Sequence, residues 1–457
     1  MELEKRQPEK KLSEENTNTS RRSFIKNTTA ITAGAALAFS ARSYARIVGA
    51  NDRINMAIAG LNGRGKALIS SITSSKNTHI EYLCDVDTRL FPTVNEIAQK
   101  IAGYTPKNIQ DFRTILDSKA VDAFAISAPD HWHAPMAISA LDAGKHVYVE
   151  KPCSHNPHEG ELLIKAQQKH KDLVIQMGNQ QRSAPSSIQA MLDIKDGLIG
   201  DVYFAKTWYA NNRGSIGQGK KSAIPQGLDW DLWQGPAPRT DFKDNIVHYN
   251  WHWLWNWGTG EVNNNGAHEL DIARWALGVD YPTRVSSSGG RFHFDDDWEF
   301  YDTQTANYEF EGGKAITWEG RSCNGFKQYE RGRGTTIHGT KGTIMLDRNV
   351  YQAFNLGGEM LKEVKEKAES ATTNIVGAGA LDVYHMDNFL SVIRENTAQN
   401  SPIDEGHKSV LLCHLANIAQ HTGTQLDIDP STGHIKHNRA AKKMWRREYQ
   451  KGWEPKV

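Results

Sequence analysis

Glycines in a short loop are the first residues whose spacing could do chemistry. The apolar run that ends at Gly60 continues as Leu-Asn-Gly-Arg-Gly-Lys, residues 61–66, into a helical pattern. Glycines there permit a tight turn and let backbone amides approach a pyrophosphate at the helix N-terminus. The spacing is Gly-x-x-Gly-x-Gly, not the usual Gly-x-Gly-x-x-Gly, so an ordinary strand-to-helix turn is the alternative. The candidate cofactor contacts are Gly60, Asn62, Gly63, Arg64 and Gly65.

A carboxylate after this loop strengthens the interpretation. Asp85 ends the second apolar run, where it can accept hydrogen bonds from the hydroxyls of an adenosine ribose. The same charge repels a 2′-phosphate, which favours NAD over NADP, although Arg64 would weaken that preference. Asp87 is the competing ribose ligand, with a structural role as its alternative.

The elements that must position these residues are buried strands that alternate with helices. Such strands are typical of a doubly wound parallel sheet covered on both faces, an α/β fold that binds ligands at the carboxyl ends of its strands. The predicted strands are Ile54–Gly60, Ile80–Val86, Ala123–Ala128, His146–Val149 and Leu173–Met177.

Two further strand ends place polar residues at the same edge. The strand that begins at Ala123 continues into Ser-Ala-Pro-Asp-His-Trp-His, residues 127–133, and the strand that begins at His146 continues into Glu-Lys-Pro, residues 150–152. The candidate cofactor contacts here are Ser127, Pro129, His131, His133, Glu150 and Lys151.

Long strings of this sequence resemble one known family. SAPDHWHAPMAISALDAGKHVYVEKP, residues 127–152, is similar to the glucose-fructose oxidoreductase, inositol dehydrogenase and MocA family (Gfo/Idh/MocA). So are residues 178–182, 228–239 and 255–278, and the resemblance covers essentially the whole chain after the N-terminal segment. It implies an NAD-binding Rossmann domain followed by a substrate domain, and an oxidoreductase acting on a sugar or sugar-like polyol. It adds Asn179, Gln180, Arg182 and Trp233 as cofactor contacts.

The resemblance also implies two catalytic residues. Lys151 resembles the family's lysine of the Glu-Lys-Pro motif, whose amine would take the hydroxyl proton if burial lowered its pKa. A surface lysine beside a proline turn is the alternative. His268 resembles the acid-base histidine that exchanges this proton with solvent.

One position departs from the family pattern. Many dehydrogenase members carry aspartate four residues before the histidine, and this chain has Asn264, which can hydrogen-bond a sugar hydroxyl but cannot accept its proton. Lys151 and His268 must therefore carry out more of the proton transfer. For Glu269 and Asp271 we expect capping and ion pairing.

The second half of the chain predicts an α+β domain with an open, mainly antiparallel sheet. Several of its strands are separated by Gly-Gly or Gly-Thr-Lys-Gly turns, and residues 384–423 predict helices. Such a sheet can form the floor of a substrate cleft. The predicted strands are Val202–Ala210, Thr283–Phe294, Thr305–Phe310, Ala315–Arg321 and Thr335–Leu346.

Tryptophans are concentrated in this half, between Trp208 and Trp257. Indole faces suit the C–H faces of pyranose rings, so Trp208 and Trp255 join Lys151, Asn264 and His268 as candidate substrate contacts. The alternating tryptophans of residues 251–257 would give an extended segment one aromatic face. Packing in the core or in a dimer is an equal alternative.

The N-terminus carries an export pattern. A twin arginine, Arg21 and Arg22, precedes an uncharged Ala/Thr-rich run from 27 to 40 that is too short to span a bilayer, and a small-residue site ends at Ala45. These features predict a Tat signal and a periplasmic protein, whereas a disordered tail with a chance arginine pair is the alternative. We predict a signal and leader over 1–47, the NAD-binding domain over 48–176 and the substrate domain over 177–457.

Composition excludes several partners. The net charge of +1 offers no electrostatic footprint for nucleic acid or an anionic membrane. The four widely spaced cysteines predict buried thiols. His131, His133, His252, His268 and Glu269 could bind zinc, but the resemblance places the first pair beside the cofactor, so we predict no metal. We expect a small sugar or glycoside as ligand, and a homo-oligomer, because an exposed open sheet favours self-association.

Export and NAD together constrain the reaction. Free NAD is scarce outside the cytoplasm and the Tat route carries folded proteins, so the cofactor should travel bound and be recycled. In one interpretation a hydroxyl and a ketone are interconverted, most usefully at C3, and a second keto sugar restores NAD. In another, the C3 ketone acidifies C2 and permits loss of the C1 substituent, which gives an NAD-dependent glycoside hydrolase, with Tyr209, His252 and Tyr384 as candidate acids and bases. A catalytically silent sugar-binding protein is the third.

Overall fold

The chain forms two β-sheets, and the computed structural model describes residues 53–366 and 379–457. The predicted signal and leader, residues 1–47, lie outside the described residues. Within the described ranges, no helix has the length and apolar character needed to cross a membrane.

The first sheet is parallel throughout, in the order β3-β2-β1-β4-β5-β6. The chain leaves β1 toward β2 on one side and later continues from β4 on the other, so a cleft opens at the carboxyl ends of β1 and β4. The edge strand β3 is short and polar, and for that reason no apolar run predicts it. The strands are β1 Ile54–Ala59, β2 Thr78–Cys84, β3 Lys107–Ile109, β4 Ala123–Ile126, β5 His146–Val149 and β6 Ile175–Met177.

Helices connect these strands, as a doubly wound sheet requires. The central strand β4 is apolar and buried at every position, because helices cover both faces of the sheet. The doubly wound prediction is confirmed. The helices are α1 Arg64–Ser74, α2 Phe91–Ala102, α3 Arg113–Asp117, α4 Asp130–Asp142 and α5 Pro157–Lys169.

The second sheet has nine strands in the order β14-β13-β12-β11-β7-β10-β9-β8-β15. Neighbours pair antiparallel except β7 and β10, which are parallel. The predicted mainly antiparallel sheet is confirmed. The strands are β7 Val202–Ala210, β8 Arg284–Gly290, β9 Thr303–Glu309, β10 Ala315–Arg321, β11 Arg333–Gly339, β12 Gly342–Leu346, β13 Val350–Asn355, β14 Met360–Lys365 and β15 Leu426–Asp427.

The predicted end of one strand is wrong. β8 stops at Gly290 and does not continue to Phe294, because the amides of Phe292 and His293 donate to Asp302 Oδ2 instead of to a neighbouring strand.

Two helices cover one face of the second sheet. α8 and α10 pack there in a shared core that includes Leu270, Trp318 and Leu415. α8 begins directly after a π-helical turn, Val262–Gly266, which carries Asn264 to the cleft. The helices of this half are α6 Pro185–Lys195, α7 Trp230–Gln234, α8 Ala267–Leu277, α9 Ala380–Glu395, α10 Ile403–Thr422 and α11 Arg439–Lys443.

The cysteines match their prediction. Cys84, Cys153, Cys323 and Cys413 are all buried and free.

Candidate active site

A cavity of about 700 Å³ lies at the carboxyl ends of the parallel strands. Its walls come from both halves of the chain. The first half contributes the glycine loop and the ends of β2, β4 and β5, and the second contributes β7, residues 248–252, the π-helical turn and the start of α9. The lining of the cavity therefore includes both predicted cofactor residues and predicted substrate residues.

The glycine loop is built to let a ligand approach backbone. Gly60 has φ +85°, and a Cβ there would lie 2.4 Å from the carbonyl oxygen of Ser127. A Cβ on Gly65 would lie 2.1 Å from the oxygen of Gly60. Because α1 begins at Arg64, the loop presents the N-terminus of a helix to the cavity, and this cradle fits a pyrophosphate.

Asp85 directly follows β2, and its side chain contacts the glycine loop where the ribose of the cofactor is expected. Its Oδ2 accepts from the amide of Leu61 at 2.7 Å and its Oδ1 from the amide of Asp87 at 2.9 Å. Burial raises its pKa, and the two amide bonds oppose that shift. Each oxygen keeps acceptor capacity, so Asp85 fits ribose hydroxyls.

Asp87, the competing ribose ligand, has the structural role. Its side chain does not line the cavity; it is fully buried and accepts from Arg89 Nε at 2.7 Å and His248 Nε2 at 2.7 Å. Arg64 does not face a 2′-phosphate either, because Glu150 and Asp382 hold its guanidinium. Both observations agree with NAD.

Lys151 extends into the cavity from the end of β5. Its Nζ donates to the backbone oxygen of Asn264 at 2.6 Å and to the Oδ1 of the same residue at 3.1 Å. Burial lowers the pKa of Lys151 to about 8, although Glu150 and Asp130 oppose the shift. The Lys151–Pro152 peptide is cis. An amine with this pKa can hold or release a proton near neutral pH.

His268 lines the same cavity from the first turn of α8. Burial lowers its pKa well below the usual value, and the positive charges of Arg348 and Lys151 add to that shift. Among the described residues no hydrogen-bond partner holds its ring. The imidazole is therefore neutral and available to a ligand.

Glu269 and Asp271, the acidic neighbours of His268, point elsewhere. Arg333 Nε donates to Glu269 at 2.6 Å, and Arg182 Nε donates to Asp271 at 2.7 Å. Both form the ion pairs expected of them.

Four predicted cofactor contacts, Gly65, His131, Asn179 and Arg182, lie outside the cavity lining. The ring of His131 faces the backbone oxygens of Trp233 and Trp257, at 2.9 and 3.3 Å. The guanidinium of Arg182 forms an ion pair with Asp271. Asn179 is buried and does not line the cavity. Tertiary partners hold the side chains of His131 and Arg182 away from the cavity, whereas the buried side-chain amide of Asn179 has no hydrogen-bond partner among the described residues.

The other predicted cofactor contacts stand at the cavity. His133 lies between the oxygens of Pro152 and Ala128, at 2.6 and 2.7 Å, and Gln180 donates to Glu150 at 3.0 Å. The predicted residues that line the cavity are Gly60, Asn62, Gly63, Arg64, Asp85, Ser127, Pro129, His133, Glu150, Lys151, Gln180, Trp233, Asn264 and His268.

The two predicted tryptophan contacts are also corrected. Trp208 is fully buried, and its Nε1 donates to the oxygen of Arg331 at 3.1 Å. Trp255 packs on Phe300, with ring centroids 3.8 Å apart. The predicted extended aromatic segment is wrong, because residues 250–253 form a 3-10 turn. Trp208 is therefore a core residue, and Trp255 is a partly buried residue packed against a small aromatic cluster.

Several cavity residues carry no motif in the sequence. Tyr209 follows Trp208 on β7, so strand alternation sends it to the opposite side, into the cavity. Its hydroxyl oxygen accepts from Asn211 Nδ2 at 2.7 Å, and Arg213 donates to Glu261 at 2.7 Å. Tyr209 was named as a candidate acid or base for the hydrolase, and period-two alternation is the sequence signal for its direction. The cavity also includes Asp130, Arg348 and Asp382.

The five residues weighed as zinc ligands do not converge on one site. Over residues 53–366 and 379–457, no group of three or more His, Cys, Asp or Glu side chains is arranged to hold a metal ion.

The fold and the cleft define a class, a dinucleotide-binding oxidoreductase. The family model for the NAD-binding Rossmann fold of the Gfo/Idh/MocA oxidoreductases matches residues 54–178, and the model for their C-terminal alpha/beta domain matches residues 205–455. The chain belongs to this family of NAD-binding oxidoreductases.

Named relatives include sugar enzymes. A glycosyl hydrolase family 109 protein of Saccharopolyspora erythraea is 28% identical over 43% of this chain and 45% of its own length. The levoglucosan dehydrogenase of Pseudarthrobacter phenanthrenivorans is 26% identical over 37% of this chain and 36% of its own. These matches thus span less than half of each relative. The aldose-aldose oxidoreductase of Caulobacter crescentus has a similar fold, with a TM-score of 0.61 and 18% identity over 82% of this chain and all of that one.

Proposed function

We propose that this protein oxidises a hydroxyl of a carbohydrate or glycoside, at C3 of a pyranoside, and retains NAD through turnover. The observation that carries the proposal is the buried amine of Lys151, whose pKa is lowered to about 8 and which Asn264 aims into the cavity. NAD, when bound, supplies the acceptor of the hydride from the carbinol carbon and the donor for the reverse reaction.

The residues of this chain divide the remaining work. Lys151 Nζ, neutral above its lowered pKa, takes the proton of the sugar hydroxyl. His268, kept neutral by burial, exchanges that proton with solvent. Asn264 holds the amine and cannot itself take the proton, so it acts as a positioning residue.

The predicted export signal supports the proposal that the cofactor is retained. A periplasmic enzyme has little free NAD to draw on, so each turnover must end with a second keto sugar, or the same skeleton, being reduced. The similar proteins include an aldose-aldose oxidoreductase and a levoglucosan dehydrogenase, and these names support a sugar both as the compound oxidised and as the compound reduced.

The test is to purify the protein without added cofactor and record its nicotinamide absorbance. Glycosides are then added, followed by 3-keto-glycosides. We expect reduction by the first and re-oxidation by the second, with no released aglycone. A protein that contains and binds no dinucleotide would overturn the proposal.

The role of Lys151 has its own test. Lys151→Ala should lower kcat/KM about 10²- to 10⁴-fold, the usual loss for a removed acid-base group, while Lys195→Ala at an exposed site of α6 should not. Full activity in Lys151→Ala would remove this residue from the mechanism.

A glycoside hydrolase is the second candidate, favoured by Tyr209 and His252. Both line the cavity that holds Lys151, and so could supply the acid for the C1 leaving group and the base for the C2 proton. Tyr384, named for the same role, does not line it. Relatives named as glycosyl hydrolase family 109 proteins support this candidate. Release of aglycone without net change in NAD would place it ahead.

A further inference from the structure

A buried carboxylate lies behind the residue that holds Lys151. Glu261 directly precedes the π-helical turn and does not line the cavity, whereas Asn264, three positions later, does. Residues three and four apart on a helix share a face, and both Asn264 and Asn265 donate through Nδ2 to Glu261 Oε1, at 3.4 and 2.5 Å. The side chain of Glu261 is only 4% exposed. Glu261 therefore contacts the active-site turn from the interior of the protein and not from the cleft.

Arg213 keeps this carboxylate in place and ionised. Its Nε donates to Glu261 Oε2 at 2.7 Å, and Ser322 Oγ donates to the same oxygen at 2.9 Å. The guanidinium of Arg213 lies over the ring of Trp253, 4.9 Å from its centroid. Burial by itself raises the pKa of Glu261, but the charge and hydrogen bonds of Arg213 outweigh burial and lower it. The side chain of Glu261 is thus an anion with acceptors and no donor.

An acceptor-only partner decides which way an amide points. The side chain of Asn264 ends in an oxygen and an NH2 group of similar size, and only the NH2 group can donate to the carboxylate of Glu261. With Nδ2 turned to Glu261, Oδ1 faces the cleft and accepts from Lys151 Nζ at 3.1 Å. The opposite orientation would place an NH2 group against the charged amine, donor against donor.

We propose that Glu261 is a positioning residue that fixes the amide of Asn264 so that its oxygen, and not its NH2 group, faces Lys151. The inference rests on the proposed function in one respect, that the amine of Lys151 takes the substrate proton. It goes further by giving a role in that step to a residue that does not line the cavity.

Glu261→Gln is the substitution that tests the orientation, because it keeps the size of the side chain and replaces one oxygen by NH2. The remaining oxygen should stay with Arg213, since hydrogen bonds from a charged donor are the stronger ones. The new NH2 group then faces Asn264 Nδ2, and the amide of Asn264 reverses. An NH2 group beside Lys151 disfavours the charged amine and lowers its pKa.

Titration of Lys151 by 13C NMR is the measurement, on protein that carries [13Cε]lysine, with the signal assigned by its loss in Lys151→Arg. The titration reports protonation of the amine and does not require turnover. We expect the midpoint in Glu261→Gln to lie about one pH unit below wild type. The matched control Glu311→Gln, in an exposed turn, should leave it unchanged. Other charged groups that act on Lys151 stay in place in both variants, namely Glu150, Asp130, Arg348 and Arg333.

Kinetics give a second measurement of the same effect. The plateau of kcat at high pH should fall about tenfold in Glu261→Gln, because the amine is no longer aimed by an acceptor, while KM should stay near wild type. The rising limb of the pH profile should move to lower pH together with the NMR midpoint.

The Asn264→Ala background separates positioning from a general structural effect. Without the amide, Glu261→Gln should leave the Lys151 midpoint where Asn264→Ala alone puts it, because the two residues act through one another. A shift of equal size in both backgrounds would overturn the inference. If circular dichroism shows Glu261→Gln to be unfolded, Glu261→Asp takes its place, since it keeps the charge beside Arg213. It should move the midpoint in the same direction by a smaller amount.

Failure of the proposed function has a different signature. Protein that oxidises no sugar, but whose Lys151 midpoint falls in Glu261→Gln, would overturn the proposed function and leave the positioning role of Glu261 standing. Sugar oxidation with an unmoved midpoint in Glu261→Gln would overturn the positioning role and leave the proposed function standing.

Discussion

Lys151 has its chemistry set by its surroundings. Burial lowers its pKa to about 8, and the backbone oxygen and Oδ1 of Asn264 accept from its Nζ. A free lysine would remain protonated at neutral pH. The residue at position 264, which is aspartate in many family members and asparagine here, therefore influences the acid-base behaviour of Lys151.

Asn264→Asp should move the pH profile of oxidation. The neutral amine is the active form, so kcat/KM in wild type should rise with pH and level off above about 8. A carboxylate in place of the amide, 3.1 Å from Nζ, favours the charged amine and raises its pKa, which shifts the rising limb to higher pH. Initial rates from pH 6 to 10 measure the shift. An unmoved limb would mean that Lys151 does not set the profile.

At the scale of elements, one strand separates core from cleft. Trp208 and Tyr209 are adjacent on β7, yet the first is fully buried and the second lines the cavity, since successive side chains point to opposite faces. Composition drew attention to the tryptophan because indoles bind sugars. Strand alternation instead indicates Tyr209, the next residue, as the side chain that faces the cavity.

Substitution of Trp208 should therefore lower stability, whereas substitution of Tyr209 should lower activity. Trp208→Ala should cost about 3–5 kcal/mol of unfolding free energy, as for other large buried aromatics. Tyr209→Phe should leave that free energy nearly unchanged and lower kcat/KM, because it removes a hydroxyl in the cavity. Urea unfolding and steady-state kinetics separate the two effects. Loss of stability in Tyr209→Phe with unchanged kinetics would contradict this division.

The glycine loop offers a second test of an element. Gly60→Ala should weaken NAD binding by about tenfold or more, because a Cβ there meets the oxygen of Ser127 at 2.4 Å in addition to the strain of φ +85°. Gly103→Ala is the matched control, since its φ is +79° and nothing lies within 4 Å of the added atom. NAD titration followed by tryptophan fluorescence compares them. Equal affinities in both variants would show that the loop tolerates a side chain.

At the scale of the whole molecule, the cavity exists only where the two halves meet. The parallel sheet supplies the loop, Asp85 and Lys151, whereas the second half supplies Asn264, His268 and Tyr209. Of the predicted substrate residues at the cavity, Lys151 comes from the first half, whereas Asn264 and His268 come from the second.

Export itself can be tested on the whole chain. Replacing Arg21 and Arg22 together by lysine should retain the protein in the cytoplasm, because the Tat route requires the twin arginine. Fractionation of expressing cells measures the periplasmic share against wild type. Unchanged distribution would remove the signal, and with it the argument from scarce NAD, without touching the oxidoreductase assignment.

The sequence alone determined the elements with strong local signals. Apolar runs predicted the strands of the parallel sheet, apart from the polar edge strand Lys107–Ile109, and glycine spacing with Asp85 predicted the dinucleotide end of the cleft. Long motif strings indicated Lys151 and His268. These signals are local, since each depends on periodicity or on residues a few positions apart.

Only the tertiary structure decided which polar and aromatic side chains face the cleft. Arg182 lies in a family string but is turned away by Asp271, and Trp208 is buried in the core. Asp382 reaches the glycine loop from 318 residues away, by a pairing with Arg64 that no spacing in the sequence predicts. Side-chain direction depends on partners brought together by folding, and those partners are distant along the chain.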